Sequence, residues 1–302
     1  MKKILGLFFV AITAVALVAC GKKEYGVDGT FTAFEVGVNS GAAQVTWVDV
    51  TIQKGKVAKY FIDARQGKIV EGKQVWNAET KKELQYGYRM HGQNDLSVED
   101  YKKYLADNNL KEWFEQAELL EKEFLAKGVE NVNVKDNYFE NVTGVTIKDG
   151  SYTKLAKAAL ENAKKGVTIA FEVGVNSGAA QVTWVDVTIE KGKVAKYFID
   201  ARQGKIVEGK QVWNAETKKE LQYGYRMHGQ NDLSVEDYKK YLADNNLKEW
   251  FEQAELLEKE FLAKGVENVN VKDNYFENVT GVTIKDGSYT KLAKAALAKV
   301  GK

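Results

Sequence analysis

Between Gln44 and Ile52 the chain alternates apolar and polar residues with a period of two, in a β-branched and aromatic composition. This pattern predicts a half-buried strand. Lys54-Gly55 predicts a tight turn, and Lys56 to Ala64 the returning strand of a hairpin. The period then lengthens. Asn77 predicts the cap of a short helix through about Gln85, and Ser97, with Asp100 three residues on, that of a second through Ala106. From Leu110 to Lys127 the residues Trp113, Phe114, Ala117, Leu120, Phe124 and Leu125 form one apolar stripe, with Glu112, Glu115, Glu118 and Glu121 expected to face away and Gly128 as the stop. Val129 to Val134 predicts another strand. Tyr152 to Ala163 predicts a helix with Leu155, Ala158, Ala159 and Ala163 inward. Strands followed by helices point to an α+β class, a small antiparallel sheet packed with helices.

The pattern occurs twice. Residues 33–160 return as 170–297 without insertion, and the single difference is Gln53 against Glu190. Each copy is long enough for its own core, so two tandem domains are expected, 33–165 and 166–302. Glu161 to Ile169 is a brief connection that continues the preceding helix in part.

Residues 1–19 read differently: Met1-Lys2-Lys3 is a basic start, Ile4 to Ala16 a short apolar run, and Leu17-Val18-Ala19-Cys20-Gly21 resembles a bacterial lipobox. That resemblance implies cleavage before Cys20, a diacylglyceryl thioether on its sulfur, and attachment to the outer face of the cell membrane. Residues 20–32 are then a lipidated tether; the stretch Gly21 to Thr32 reaches at most ~40 Å extended and roughly 20 Å as a coil.

Composition narrows the chemistry. The 302 residues carry 44 Lys and Arg against 42 Asp and Glu, and the balance falls to zero once Lys2 and Lys3 leave with the leader. This gives no electrostatic case for nucleic acid. Cys20 is the single cysteine, so disulfides, zinc–thiolate sites, iron–sulfur clusters and Cys-x-x-Cys-His haem attachment are excluded.

One stretch lies between the predicted strand and the last helix of each copy: Glu140-Asn141-Val142-Thr143-Gly144-Val145-Thr146, and again Glu277 to Thr283. It resembles the flavinylation site of the FMN-binding domain family, whose relatives include the C subunit of the sodium-pumping quinone reductase, the G subunit of Rnf-type complexes and tandem flavin lipoproteins of Gram-positive bacteria. The family pattern runs acidic, two residues, Ser/Thr, Gly, small, Ser/Thr. The resemblance implies two covalent FMN groups, esterified through phosphate to Thr146 and Thr283 by an ApbE-type flavin transferase, with Thr143, Gly144, Thr280 and Gly281 supporting. Three letters depart from the commonest form: Glu for Asp, Thr for Ser, and Val145 or Val282 for Ala. On the residues themselves, Gly144 gives a turn its freedom, and a hydroxyl just before a helix would meet free N–H groups that favour phosphate.

The implied function is a membrane-anchored flavoprotein of extracellular electron transfer, relaying electrons from a membrane quinol-oxidising system to ferric iron or free flavins. It would be a carrier rather than a substrate-specific reductase, with no catalytic residue and no metal of its own. Near-identical copies imply similar potentials. The alternative is a non-redox cell-surface lipoprotein, a binding module that keeps the fold without flavin. Two weaker candidates recur: His91 and His228, the only histidines, and the aromatic sets Trp76, Tyr86, Tyr88 and Trp213, Tyr223, Tyr225, which could stack on a flavin ring or simply pack. Asn141-Val142-Thr143 is also a glycosylation sequon, which a bacterial lipoprotein would not use.

Overall fold

The computed structural model describes residues 24–300; the leader, Cys20 and the rest of residues 1–23 lie outside the described residues. The protein is α+β, with two similar domains. In the first, β1 (Gly29–Asn39), β2 (Ala42–Gln53), β3 (Lys56–Val70) and β4 (Lys73–Trp76) form an antiparallel meander in that order. Helices α1 (Lys81–Leu84), α2 (Val98–Asp107) and α3 (Trp113–Lys127) follow, then a two-residue hairpin of β5 (Val134–Lys135) and β6 (Tyr138–Phe139), then α4 (Tyr152–Lys165).

The second domain repeats this as β7 (Val167–Asn176), β8 (Ala179–Glu190), β9 (Lys193–Val207), β10 (Lys210–Trp213), α5 (Lys218–Leu221), α6 (Val235–Asp244), α7 (Trp250–Lys264), β11 (Val271–Lys272), β12 (Tyr275–Phe276) and α8 (Tyr289–Ala298). Among the described residues no helix is long and apolar enough to cross a membrane.

Alternation in β2 sends Val48, Val50 and Ile52 to one face, where they are fully buried with Ile62, Leu120 and Ala159. Trp47, Asp49 and Thr51 take the other. Lys54 and Gly55 turn with positive φ, and the expected hairpin forms with a register shift at Thr51/Ile52. Ser97 caps α2 and Gly128 ends α3 at φ 81°.

Several expectations are corrected. Residues 29–32 belong to β1 rather than to a tether, because Gly29 to Thr32 pair with Asp49 to Ile52; Tyr25 is buried against the same domain. Thr80, not Asn77, caps the first helix, through a reciprocal bond with Glu83. Val129 to Asn131 form a 3-10 turn instead of a strand, since Gly128 starts a tight turn that seats Val129 in the core. Leu125 and Ala158 are exposed. Glu112 is fully buried rather than solvent-facing, because it caps α3 and accepts from Tyr101 Oη and the Met90 N–H. Glu121 is partly buried and pairs with Lys82 at 2.5 Å while accepting the Ile62 N–H. Burial raises its pKa.

The two domains meet through reciprocal contacts. Trp76 Nε1 donates to Gly174 O at 2.8 Å and Trp213 Nε1 to Gly37 O at 2.7 Å. The Gln74 N–H donates to Gly178 O and the Gln211 N–H to Gly41 O, both at 2.8 Å. At the centre Phe34 and Phe171 stack at 4.8 Å, flanked edge-on by Trp184 at 5.4 Å and Trp47 at 5.5 Å. Each contact has its mirror in the other copy, the mark of a two-fold, self-complementary interface. The chain also closes on itself: α4 passes through Gly166 straight into β7, and the end of α8 returns to β1, where the Thr30 N–H donates to Lys299 O.

The symmetry fails where the repeat ends. Asp49 accepts from Thr32 Oγ1 and lies 3.9 Å from Lys299 Nζ. Its counterpart Asp186 faces Ile169 in place of threonine, and one of its oxygens is buried with no partner. Burial, reinforced by Asp200 and opposed by Lys196 and Lys219, pushes Asp186 up to about 7 from an ordinary 3.8. The folded state therefore holds this proton more tightly than the unfolded one. Its contribution is fullest in acid and is lost as pH rises through about 7. Asp186→Asn is expected to raise the melting temperature at pH 8 by roughly 5 °C and to change it little at pH 4. Burial raises the Asp49 carboxyl as well, so Asp49→Asn should raise the melting temperature at pH 8 by less, because Thr32 and Lys299 already partner that carboxylate. Calorimetric scans at both pH values check this.

Candidate functional site

Thr143 and Gly144 form a surface turn, and Gly144 has φ 79°, a conformation that favours glycine. A Cβ there would also press on Leu119 Cδ1 and Lys111 Cε at 3.3 Å. Val145 and Ile147 point into the core, so the exposed side chain between them is that of Thr146. The valine that departs from the family's usual alanine thus packs inward. Gly281, Val282 and Thr283 repeat the arrangement.

The turn is anchored by a residue the sequence reading passed over. Gln116, on α3 and 1% exposed, accepts with Oε1 from the Thr146 N–H at 2.6 Å, the Ile147 N–H at 3.0 Å and Thr146 Oγ1 at 3.2 Å. Its Nε2 donates to Lys111 O at 2.8 Å. Gln253 does the same for Thr283 and Ile284. The available signal was a glutamine inside an otherwise apolar stripe. A buried carboxamide needs partners, and a nearby loop supplies them.

The helix-terminus expectation is corrected. The helix starts at Tyr152, and its end is filled by Asp149: the Thr153 N–H donates to Asp149 Oδ1 at 2.9 Å and Thr153 Oγ1 to Oδ2 at 2.6 Å. The N–H of Thr146 itself is spent on Gln116. A phosphate on Thr146 Oγ1 would instead find the exposed Lys111 stem against the turn and Lys148 two residues on. Cations suit a phosphodiester, and an exposed hydroxyl on a rigid turn suits an external enzyme. The residues present fit an attachment point.

The remaining candidates are scattered. Glu140 is exposed and 3.9 Å from Lys135. Asn141 is engaged at both ends of its side chain, by the Asn133 N–H and Asn131 O. His91 Nε2 sits 2.9 Å from Lys111 O. Tyr86 packs edge-on against Phe114, Tyr88 against Trp113, and Trp76 reaches into the other domain, so these three build no common platform. Their copies behave alike. Beneath Tyr88, Lys81 is buried with Nζ 4.8 Å from that ring and 5.4 Å from Trp113; burial pulls it down to about 8, against the pull of Asp63. Tyr152, which accepts from Trp113 Nε1, is pushed up to about 12 by burial.

No protein-family model matches the chain, and no curated protein and no solved structure matches it either.

Gln116→Leu keeps the bulk and strips the acceptor from two N–H groups and a hydroxyl. We expect the first domain to lose about 1–3 kcal/mol, measured by urea unfolding, with Gln253→Leu acting equally on the second.

Proposed function

We propose that the protein is a lipid-anchored electron carrier bearing two covalent FMN groups, one on Thr146 and one on Thr283. The observation that carries the reading is the twofold presentation of one exposed hydroxyl on a turn whose backbone is fixed from within by Gln116 or Gln253. Modification needs no local base: Oγ bonds to the flavin-side phosphorus of FAD, the pyrophosphate P–O bond breaks, AMP leaves, and the hydroxyl proton passes to a base of the ApbE-type transferase. The flavin ring supplies the redox chemistry. The chain's own part is to hold the attachment turn, and Thr143, Gly144, Thr280 and Gly281 shape it. Cys20 would anchor the protein by lipid to the outer face of the cell membrane. The donor is then a membrane quinol-oxidising system and the acceptors are ferric iron or free flavins.

Mass spectrometry of protein co-expressed with such a transferase tests this. Two FMN-phosphoryl additions are expected on the wild type, one on Thr146→Ala or Thr283→Ala, and none on the double variant. An unmodified wild type, or two additions surviving in the double variant, would overturn the proposal and leave a surface binding module.

A further inference from the structure

Among the clefts that the reciprocal interface leaves, two, of about 620 Å³ and 530 Å³, are walled by aromatic rings from both copies. The first joins Trp47, Phe61 and Arg65 of one domain to Phe171 of the other. The second joins Trp184 and Arg202 to Phe34. Their volumes fall in the range of small-molecule sites. We propose that each cleft binds one free, flat heteroaromatic ring system of isoalloxazine size. This rests on the flavin reading only for the ring chosen.

Three observations support it. First, the walls are rings: Trp47 and Phe171 meet edge-on at 5.5 Å, and Phe34 and Trp184 at 5.4 Å, each pair partly exposed at the cleft. Offset or edge-on packing against such walls favours a flat aromatic guest. Second, the charged and polar side chains at each cleft include an arginine with spare capacity. Arg65 reaches Glu83 only at 3.8 Å and Arg202 reaches Glu220 only at 3.7 Å. Five fixed N–H donors on a plane suit the carbonyl edge of a heterocycle and stacking on its face. Asp63, by contrast, is already held by the N–H groups of Ala64 and Lys82.

Third, the cleft is not where the attached group begins. Thr146 is tied to α3 on the helix side of the sheet, between core residues Val145 and Ile147. Trp47 and Phe61 stand on the opposite sheet face, paired in register with Asp63 and Asp49. Each domain therefore offers an attachment turn on one side and a ring-walled cleft on the other. The two clefts are joined through the stacked pair Phe34–Phe171.

Riboflavin is the probe, because it lacks the phosphate and cannot be esterified to threonine. Titrated with full-length protein made without a transferase, its fluorescence should quench saturably with two sites per chain. Trp47→Leu should remove one site, Trp184→Leu the other, and the pair both. Arg65→Gln and Arg202→Gln, which touch no core contact, should each weaken one site roughly tenfold. Quenching without saturation, or two sites surviving in the Trp47→Leu/Trp184→Leu protein, would overturn the proposal whatever the mass of the flavinylated chain. Protein already carrying covalent flavin is titrated in parallel. Two riboflavin sites there assign the clefts to a free ring; loss of both would hand them to the attached one and overturn the free-ring assignment.

Discussion

Two phenylalanine rings, Phe34 and Phe171, stack 4.8 Å apart between the domains, and much of the rest follows from that contact. The two longest helices of each domain pack their buried residues against one face of its four-stranded sheet. The other face carries Trp47 or Trp184 beside the phenylalanine, an apolar surface that a lone domain would leave in water. A second copy covers it. Because the same patch meets itself, its central contacts occur twice, including the indole N–H bonds of Trp76 and Trp213 and the two aromatic clefts. The duplication thus creates surface that neither copy has alone.

Identical letters do not give identical environments. The copies share their sequence from Ala33 and Ala170 onward, but the residues just before those positions and at the ends of α4 and α8 differ. Thr32 and Lys299 hold Asp49, whereas Ile169 leaves Asp186 with an unpaired oxygen. A buried charge without partners is costly and is relieved by protonation. The two copies therefore differ electrically at this pair, and they differ because of where the repeat stops.

At the turn from Thr143 to Thr146, precision comes from one buried side chain. Gln116 gathers two backbone N–H groups and a hydroxyl onto a single oxygen, while Val145 and Ile147 pin the turn from within. The glycine before them bends the chain outward. Together these make Thr146 and Thr283 exposed in side chain and fixed in backbone, which is a better description of the site than a hydroxyl at a helix end.

Local pattern determined local structure. The period-two run through Val48 and Ile52, the apolar stripe of Trp113 to Phe124, the Ser97 cap, the Gly128 stop and the Gly144 turn were all legible in the sequence, because each depends on residues within a turn or a strand pair. So were the two copies and the α+β class. Tertiary structure decided the rest. Glu112 reads as surface until Tyr101 and Met90 close over it, and Gln116 reads as filler until a loop thirty residues away needs an acceptor. Gly29 to Thr32 read as tether until Val50 and its neighbours pair with them. The docking of the two sheets, and with it the difference between Asp49 and Asp186, is carried by no local period. It arises from which faces are left uncovered once each domain has folded, a long-range outcome that only packing can set.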